Sequence, residues 1–233
     1  MESVETIARS AGPRGEVVLR RRIDEGRRVE ELIINGAFAM DSSETSTERL
    51  LAELVLPRRH AQRVLIGGLG LGYTVAAVAA KQVDRIDVVE IEQCLIEWGY
   101  QGATSTLAAV AADPRVRLHA GDVRLVLEAR YAEPAGPWDA IVLDIDNGPD
   151  FLIHKENREL YTAASLSAAY GQLTTGGTLA IWCQHPAPAL LALLQGIAAS
   201  AQQHVINTSR GERNFPYTIY TISRANHSAA QAR

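Results

Sequence analysis

The chain has 233 residues, 47% hydrophobic and 21% charged, enough for one α/β domain plus a small addition, with a core that needs neither disulfides nor a structural metal. Its 23 Lys and Arg against 27 Asp and Glu leave a net charge of −4, which excludes a general polyanion binder and predicts no nucleic-acid partner. Cys94 and Cys183 lack CxxC spacing and partner histidines, so no metal site is expected. The polar start MESVETIARS lacks the apolar stretch of a signal peptide, and the apolar runs are too short to span a bilayer, which predicts a cytoplasmic protein without membrane association.

In chain order, residues 1–15, with Gly12, Pro13 and Gly15, read as a loose leader. Glu16–Arg22 and Arg28–Asn35 are β-like runs separated by Asp24, Glu25 and Gly26, a hairpin signal. Their arginines, at 20–22 and 27–28, read as a solvated strand face. Thr45–Leu56 reads as a helix with an apolar stripe of Leu50, Leu51, Leu54 and Val55, stopped by Pro57. Residues 1–60 are therefore expected to form a small β-rich appendage. From 61 to 224 the pattern alternates short β-branched runs with longer amphipathic segments, which predicts a parallel sheet covered by helices. The expected strands are 64–66, 86–90, 116–119, 140–144 and 178–183, with helices over 73–81, 92–100, 123–131, 156–170 and 187–201. Two closing strands at 204–208 and 217–222 suit a Rossmann-like α/β fold with a seven-stranded, mostly parallel sheet of the class I methyltransferase type. Residues 225–233 read as a disordered tail.

The most informative segment is VLIGGLGLGYT, residues 64–74. A buried strand runs into Gly68-x-Gly70-x-Gly72 and then a helix, an arrangement that lets backbone approach a ligand closely. Tyr73 stands where a dinucleotide loop would want its third glycine, which favours an adenosyl-sulfonium ligand without a pyrophosphate. Glu90, at the end of the second expected strand, is placed to accept hydrogen bonds from ribose hydroxyls, with Ile91 beside it. Asp122, followed by Val123, is placed to accept from an adenine amino group while capping a helix. Asp144, Asp146 and Asn147 reach the same edge after the fourth strand. Phe151, Leu152 and His154 are candidates for a lid and His185 for a second acid/base, while Trp98, Trp138 and Trp182 read as core.

Over residues 30–185 the chain resembles the spermidine synthase family of polyamine aminopropyltransferases. LIING at 32–36 is similar to that family's LVLDG, RVLIGGLGLGYT to its KVLIIGGGDGGT, and DPRVRLHAGDV to its DPRV…GDG block. VVEIEQCLIEW matches its ribose-binding strand and helix, and LDIDNGP its LDSSDPxGP. The resemblance implies that Glu90 holds the ribose, Asp122 the adenine, and that Asp144 handles an acceptor amine, with Tyr161 facing the acceptor pocket. It also implies a homodimer built through the N-terminal strands. Four positions depart from the pattern. The family's ammonium-gripping aspartate falls on Leu71, its glutamine on Ala39, and its Tyr-His pair on Glu48-Arg49.

The Leu71 departure favours intact S-adenosylmethionine as cofactor, because backbone N–H groups can hold a carboxylate that an aspartate would repel. The leading expectation is thus methyl transfer to a small cationic or amine substrate, with Asp144 and Asp146 catalytic and Asp146, Asn147 and Tyr161 around the acceptor. The alternatives are aminopropyl transfer from decarboxylated S-adenosylmethionine to a polyamine, and a non-catalytic nucleoside-binding protein.

Overall fold

A computed structural model of the chain describes residues 4–24, 26–57, 60–210 and 213–225. The N-terminal part is a four-stranded antiparallel sheet of β1 (Val4–Gly12), β2 (Gly15–Asp24), β3 (Arg27–Ile34) and β4 (Ala37–Asp41), paired in that order. The expected hairpin is β2–β3, with Arg20 opposite Glu31 and Arg21 opposite Glu30. Arg20 and Arg22 are bound rather than merely solvated, their Nε atoms 2.6 and 2.7 Å from the carboxylate of Glu31, which is only 6% exposed, whereas Arg27 and Arg28 are exposed. The segment read as a loose leader is instead strand β1. Gly12 pairs with Gly15 across Pro13 and Arg14, so the glycines and proline mark a tight hairpin turn. The other side of β2 carries Val17 and Leu19, which with Leu32 and Ile34 of β3 are buried.

Helix α1 (Ser46–Val55) leads into the main sheet. Its seven strands are β5 (Ala61–Gly67), β6 (Val83–Glu90), β7 (Val116–Ala120), β8 (Trp138–Leu143), β9 (Leu173–Cys183), β10 (Gln202–Arg210) and β11 (Arg213–Ser223). They lie in the order β10-β11-β9-β8-β5-β6-β7. The central strands pair in parallel, whereas β11 runs antiparallel to β9 and β10 antiparallel to β11. Val64, Leu65, Ile66, Ile141 and Val142 are fully buried, as continuous β-branched strands covered on both faces must be. Helices α2 (Tyr73–Ala79), α3 (Gln93–Gln101), α4 (Ser105–Ala112), α5 (Val123–Leu127), α6 (Ala163–Gly171) and α7 (Pro188–Ile197) connect them.

Two helical expectations change. The α4 segment was not foreseen. The single helix expected over 156–170 is two elements: a 3-10 helix, Lys155–Tyr161, and α6, whose N-cap Thr162 accepts a hydrogen bond from Ser165 N. The expected tail lies outside the described residues apart from Ala225. No helix among the described residues is long and apolar enough to cross a membrane.

The order places β5 between β6 and β8, so the chain reverses its direction of sheet growth there. Ligands of open α/β sheets bind in the crevice beyond the carboxyl ends of strands at such a point. The small sheet is not a separate body. Val17, Leu19, Leu32 and Ile34 join Leu51, Val55, Val64 and Ile66 in one hydrophobic cluster. Leu19→Ala, at a fully buried site, is expected to cost about 2–5 kcal/mol. Calorimetry should still show a single unfolding transition, since both sheets share this core.

Candidate active site

The glycine loop after β5 is shaped by contacts from three directions. Gly68 has φ +93°, and a Cβ there would lie 2.1 Å from the carbonyl oxygen of Asp144. Gly70 has φ +51°, and a Cβ there would meet Met40 Sδ at 2.6 Å. Position 68 thus admits no side chain, and one at position 70 would have to displace Met40. Its N–H groups are already engaged. Gly68 N donates to Val89 O at 2.9 Å, Leu69 N to Glu90 Oε2 at 2.6 Å, and Gly72 N to Leu69 O at 2.8 Å. Leu71 N points at Met40 Sδ, 3.3 Å away, and Gly70 N contributes to holding the Glu90 carboxylate.

Above this loop lies a cavity of about 480 Å³, walled by the main sheet's carboxyl edge on one side and by β3, β4 and the start of α1 on the other. Of the candidate cofactor residues, Gly68, Gly70, Glu90, Ile91, Asp122, Val123 and Asp144 all line it. Gly72 does not; it caps α2 with φ +87°. Glu90 is 5% exposed and also accepts from Glu92 N at 2.8 Å. Burial pushes its pKa up, and the N–H bonds from Glu92 and Leu69 oppose that. Asp122 caps α5 by accepting from Arg124 N at 2.8 Å, while its side chain remains on the wall. Asp144 is partly buried and receives the hydroxyl of Thr74 at 2.5 Å. Loss of water around it raises its pKa above the ordinary aspartate value, against the lowering effect of that bond.

The acceptor-side candidates part company. Asp146 and Asn147 line the cavity, but Asp146 is an anchor for the segment that follows. It accepts from Ile153 N at 2.8 Å and from Asn157 Nδ2 at 3.0 and 3.1 Å, with Tyr161 OH at 3.5 Å. Tyr161 is off the wall and packs in the core around Leu160 and Leu166. His154 does reach the cavity, its Nε2 lying 3.1 Å from Glu92 Oε1. Leu152, Phe151 and His185 do not line it; the two rings stack edge-on at 5.6 Å. Trp98 and Trp138 are core residues, as expected, whereas Trp182 is on the wall beside Tyr217, their centroids 5.4 Å apart.

Sequence reasoning gave no site role to Glu48, Trp182 or Tyr217. For Glu48 a signal existed. It lies on the i, i+3, i+4, i+7 row with Leu51, Ala52 and Val55, the face α1 buries, so a charge there must face something other than water. Glu48 lines the cavity and is 8% exposed. Burial first, and then the charge of Asp144, push its carboxyl up to about 7. Asp41, Glu44, Glu92, Glu156 and Glu159 add further acid to the wall, against Arg14 and Arg124. Among the described residues no cluster suited to a metal ion is present.

The seven-stranded sheet with its switch-point cavity is the Rossmann-like architecture of the class I methyltransferase type. Within that class the chain is similar in structure to the spermidine synthase of Thermotoga maritima, with a TM-score of 0.72, 16% identity, and coverage of 93% of this chain and 72% of that one. It is equally similar to a spermidine synthase in complex with the transition state analogue AdoDATO, with a TM-score of 0.71, 18% identity, and coverage of 93% and 73%. The fold is therefore spermidine-synthase-like. No protein-family profile matches the sequence, and no curated protein does.

Asp146→Ala should release the 150–161 segment, because it leaves Ile153 N and Asn157 without their acceptor. The expected cost is about 2–4 kcal/mol, with amide exchange quickening over 150–161 and unchanged protection in β5 and β8.

Proposed function

We propose that this chain is a transferase that binds a sulfonium nucleoside over the glycine loop and moves an aminopropyl group from it to an amine. The observation that carries the reading is Asp144: a partly buried carboxylate, facing the cavity across from the loop, with its pKa raised. Glu90 and Asp122 are the proposed partners of ribose and adenine, spread along the same edge. The spermidine-synthase-like fold supports the class of reaction.

In this reaction the acceptor nitrogen's lone pair attacks the carbon next to the sulfonium sulfur. The carbon–sulfur bond breaks and its electron pair leaves with a neutral thioether. The leaving group needs no acid, so the protein's work is alignment and removal of one proton from the nitrogen. Asp144 takes that proton, directly or through water; a carboxyl raised by burial is a better base than an exposed one.

The expectation of methyl transfer from intact S-adenosylmethionine rested on loop N–H groups free to hold its carboxylate. The loop's N–H groups are taken up internally, and the cavity wall is rich in acid. Methyl transfer stays as the second reading because Leu71 brings no anion to the loop and Arg14 offers the wall a cation.

Incubation with each donor and a panel of diamines, polyamines and amino acids separates the two. Mass spectrometry should find 5′-methylthioadenosine from the decarboxylated donor. S-adenosylhomocysteine from the intact donor would establish the second reading instead. Asp144→Asn should lower turnover by about 10²–10⁴-fold with nucleoside affinity little changed; full activity in that variant would remove Asp144 from the mechanism.

A further inference from the structure

Most carboxylates of the cavity wall have partners of their own. Asp41 faces Arg22 at 3.5 Å and Asp122 faces Arg124 at 3.6 Å, while Glu92 Oε1 lies 3.1 Å from His154 Nε2, a counter-charge only when that ring is protonated. Asp146 is occupied by Ile153 and Asn157, and Glu90 by the N–H groups of Leu69 and Glu92. Glu156 and Glu159 are exposed to water. Two carboxylates lack a basic side chain beside them: Glu48, which is buried, and Asp144, which is partly buried. Glu48 receives the hydroxyl of neighbouring Thr47, at 2.9 Å, and a backbone N–H bond from its own residue, and Asp144 receives the hydroxyl of Thr74. No Lys, Arg or His among the described residues pairs with either. Both face one cavity, and buried carboxylates without a counter-charge are costly unless a proton or a cation joins them. Leu71 carries no charge and packs fully in the core, so an anion for a ligand ammonium has to come from elsewhere on the wall.

We propose that Glu48 is the ammonium anchor of this site: with Asp144 it holds the terminal ammonium of a cationic ligand lying over the glycine loop, and it selects amine-bearing ligands over uncharged ones. The inference rests on the transferase reading above. It assigns α1, an element of the N-terminal part, a direct role in recognition. The charged and titratable groups acting on Glu48 are Asp144 at the end of β8, Glu44 just before α1, and Tyr73 at the start of α2. Repulsion from the first two, added to burial, keeps the empty site protonated at Glu48 until about 7. An arriving ammonium takes the place of that proton. Binding of the cation therefore strengthens as pH rises through this range and weakens below it, where the proton competes.

Glu48→Gln keeps the shape and removes the charge, and relieving a buried repulsion leaves the fold intact. Calorimetry with three probes then tests the anchor: 5′-methylthioadenosine, which has no ammonium, decarboxylated S-adenosylmethionine, and putrescine. The variant should bind methylthioadenosine as the wild type does and lose about tenfold or more for a cationic probe. A loss confined to the decarboxylated donor places the anchor at the donor's end, and a loss confined to putrescine places it at the acceptor's. Wild-type affinity for that probe should fall from about pH 8 to about pH 6, and the variant's should stay flat. Unchanged binding of both cationic probes by the variant overturns the anchor alone, as does an equal loss for methylthioadenosine. Failure of the wild type to bind any of the three overturns the transferase reading and the anchor with it.

Discussion

Residue 68 has to be a glycine because the turn after β5 passes directly against the backbone of Asp144. A methyl group on Gly68 would sit 2.1 Å from that carbonyl oxygen, a distance no side-chain adjustment relieves. The contact ties the end of β5 to the end of β8, the two strands between which sheet growth reverses. It also brings Thr74, the second residue of α2, to within 2.5 Å of the Asp144 carboxylate. The position of the acid and the shape of the loop are one structural fact. Met40 of β4 closes the loop from the other side against Gly70, so the N-terminal sheet completes the cavity.

That cavity concentrates negative charge along one wall. Glu90 is held by backbone N–H groups, Asp146 by the segment it anchors, and Asp41 by Arg22. These carboxylates are structural as well as chemical, since each fixes a turn of the wall. Glu48 and Asp144 are different in kind, for they repel one another and have no cation of their own. A positively charged ligand supplies what the apo site lacks.

How much of this was legible in the sequence follows from the physics of each element. The central strands show as continuous β-branched runs because both faces are buried, and the glycine loop shows because close backbone approach admits little else. The acidic strand ends Glu90, Asp122 and Asp144 stand out because carboxylates follow apolar strands there, and each proved to line the cavity. Strand β1 was hidden: its residues are mostly exposed, so it lacks an apolar alternation, and Pro13 with two glycines resembles a loop. Helix α4 was hidden by its near-uniform small side chains, and the break at Thr162 by a capping residue inside a helix-like run. Glu48 stood out in the sequence only as a departure from the family's Tyr-His pair, although its place on the apolar row of α1 marked it as buried. Trp182 and Tyr217 were illegible as site residues, since only the pairing of β9 with β11 brings them together.

The central claim is that an adenosine lies along this edge, between the glycine loop and Glu90, with its sulfur turned toward Asp144. A crystal structure of the complex with 5′-methylthioadenosine tests it most directly. The account predicts ribose hydroxyls about 3 Å or less from the Glu90 carboxylate, the adenine beside Asp122, and the sulfur over Gly70. A nucleoside bound elsewhere on the molecule, or one lying here with its ribose turned away from Glu90, would contradict it.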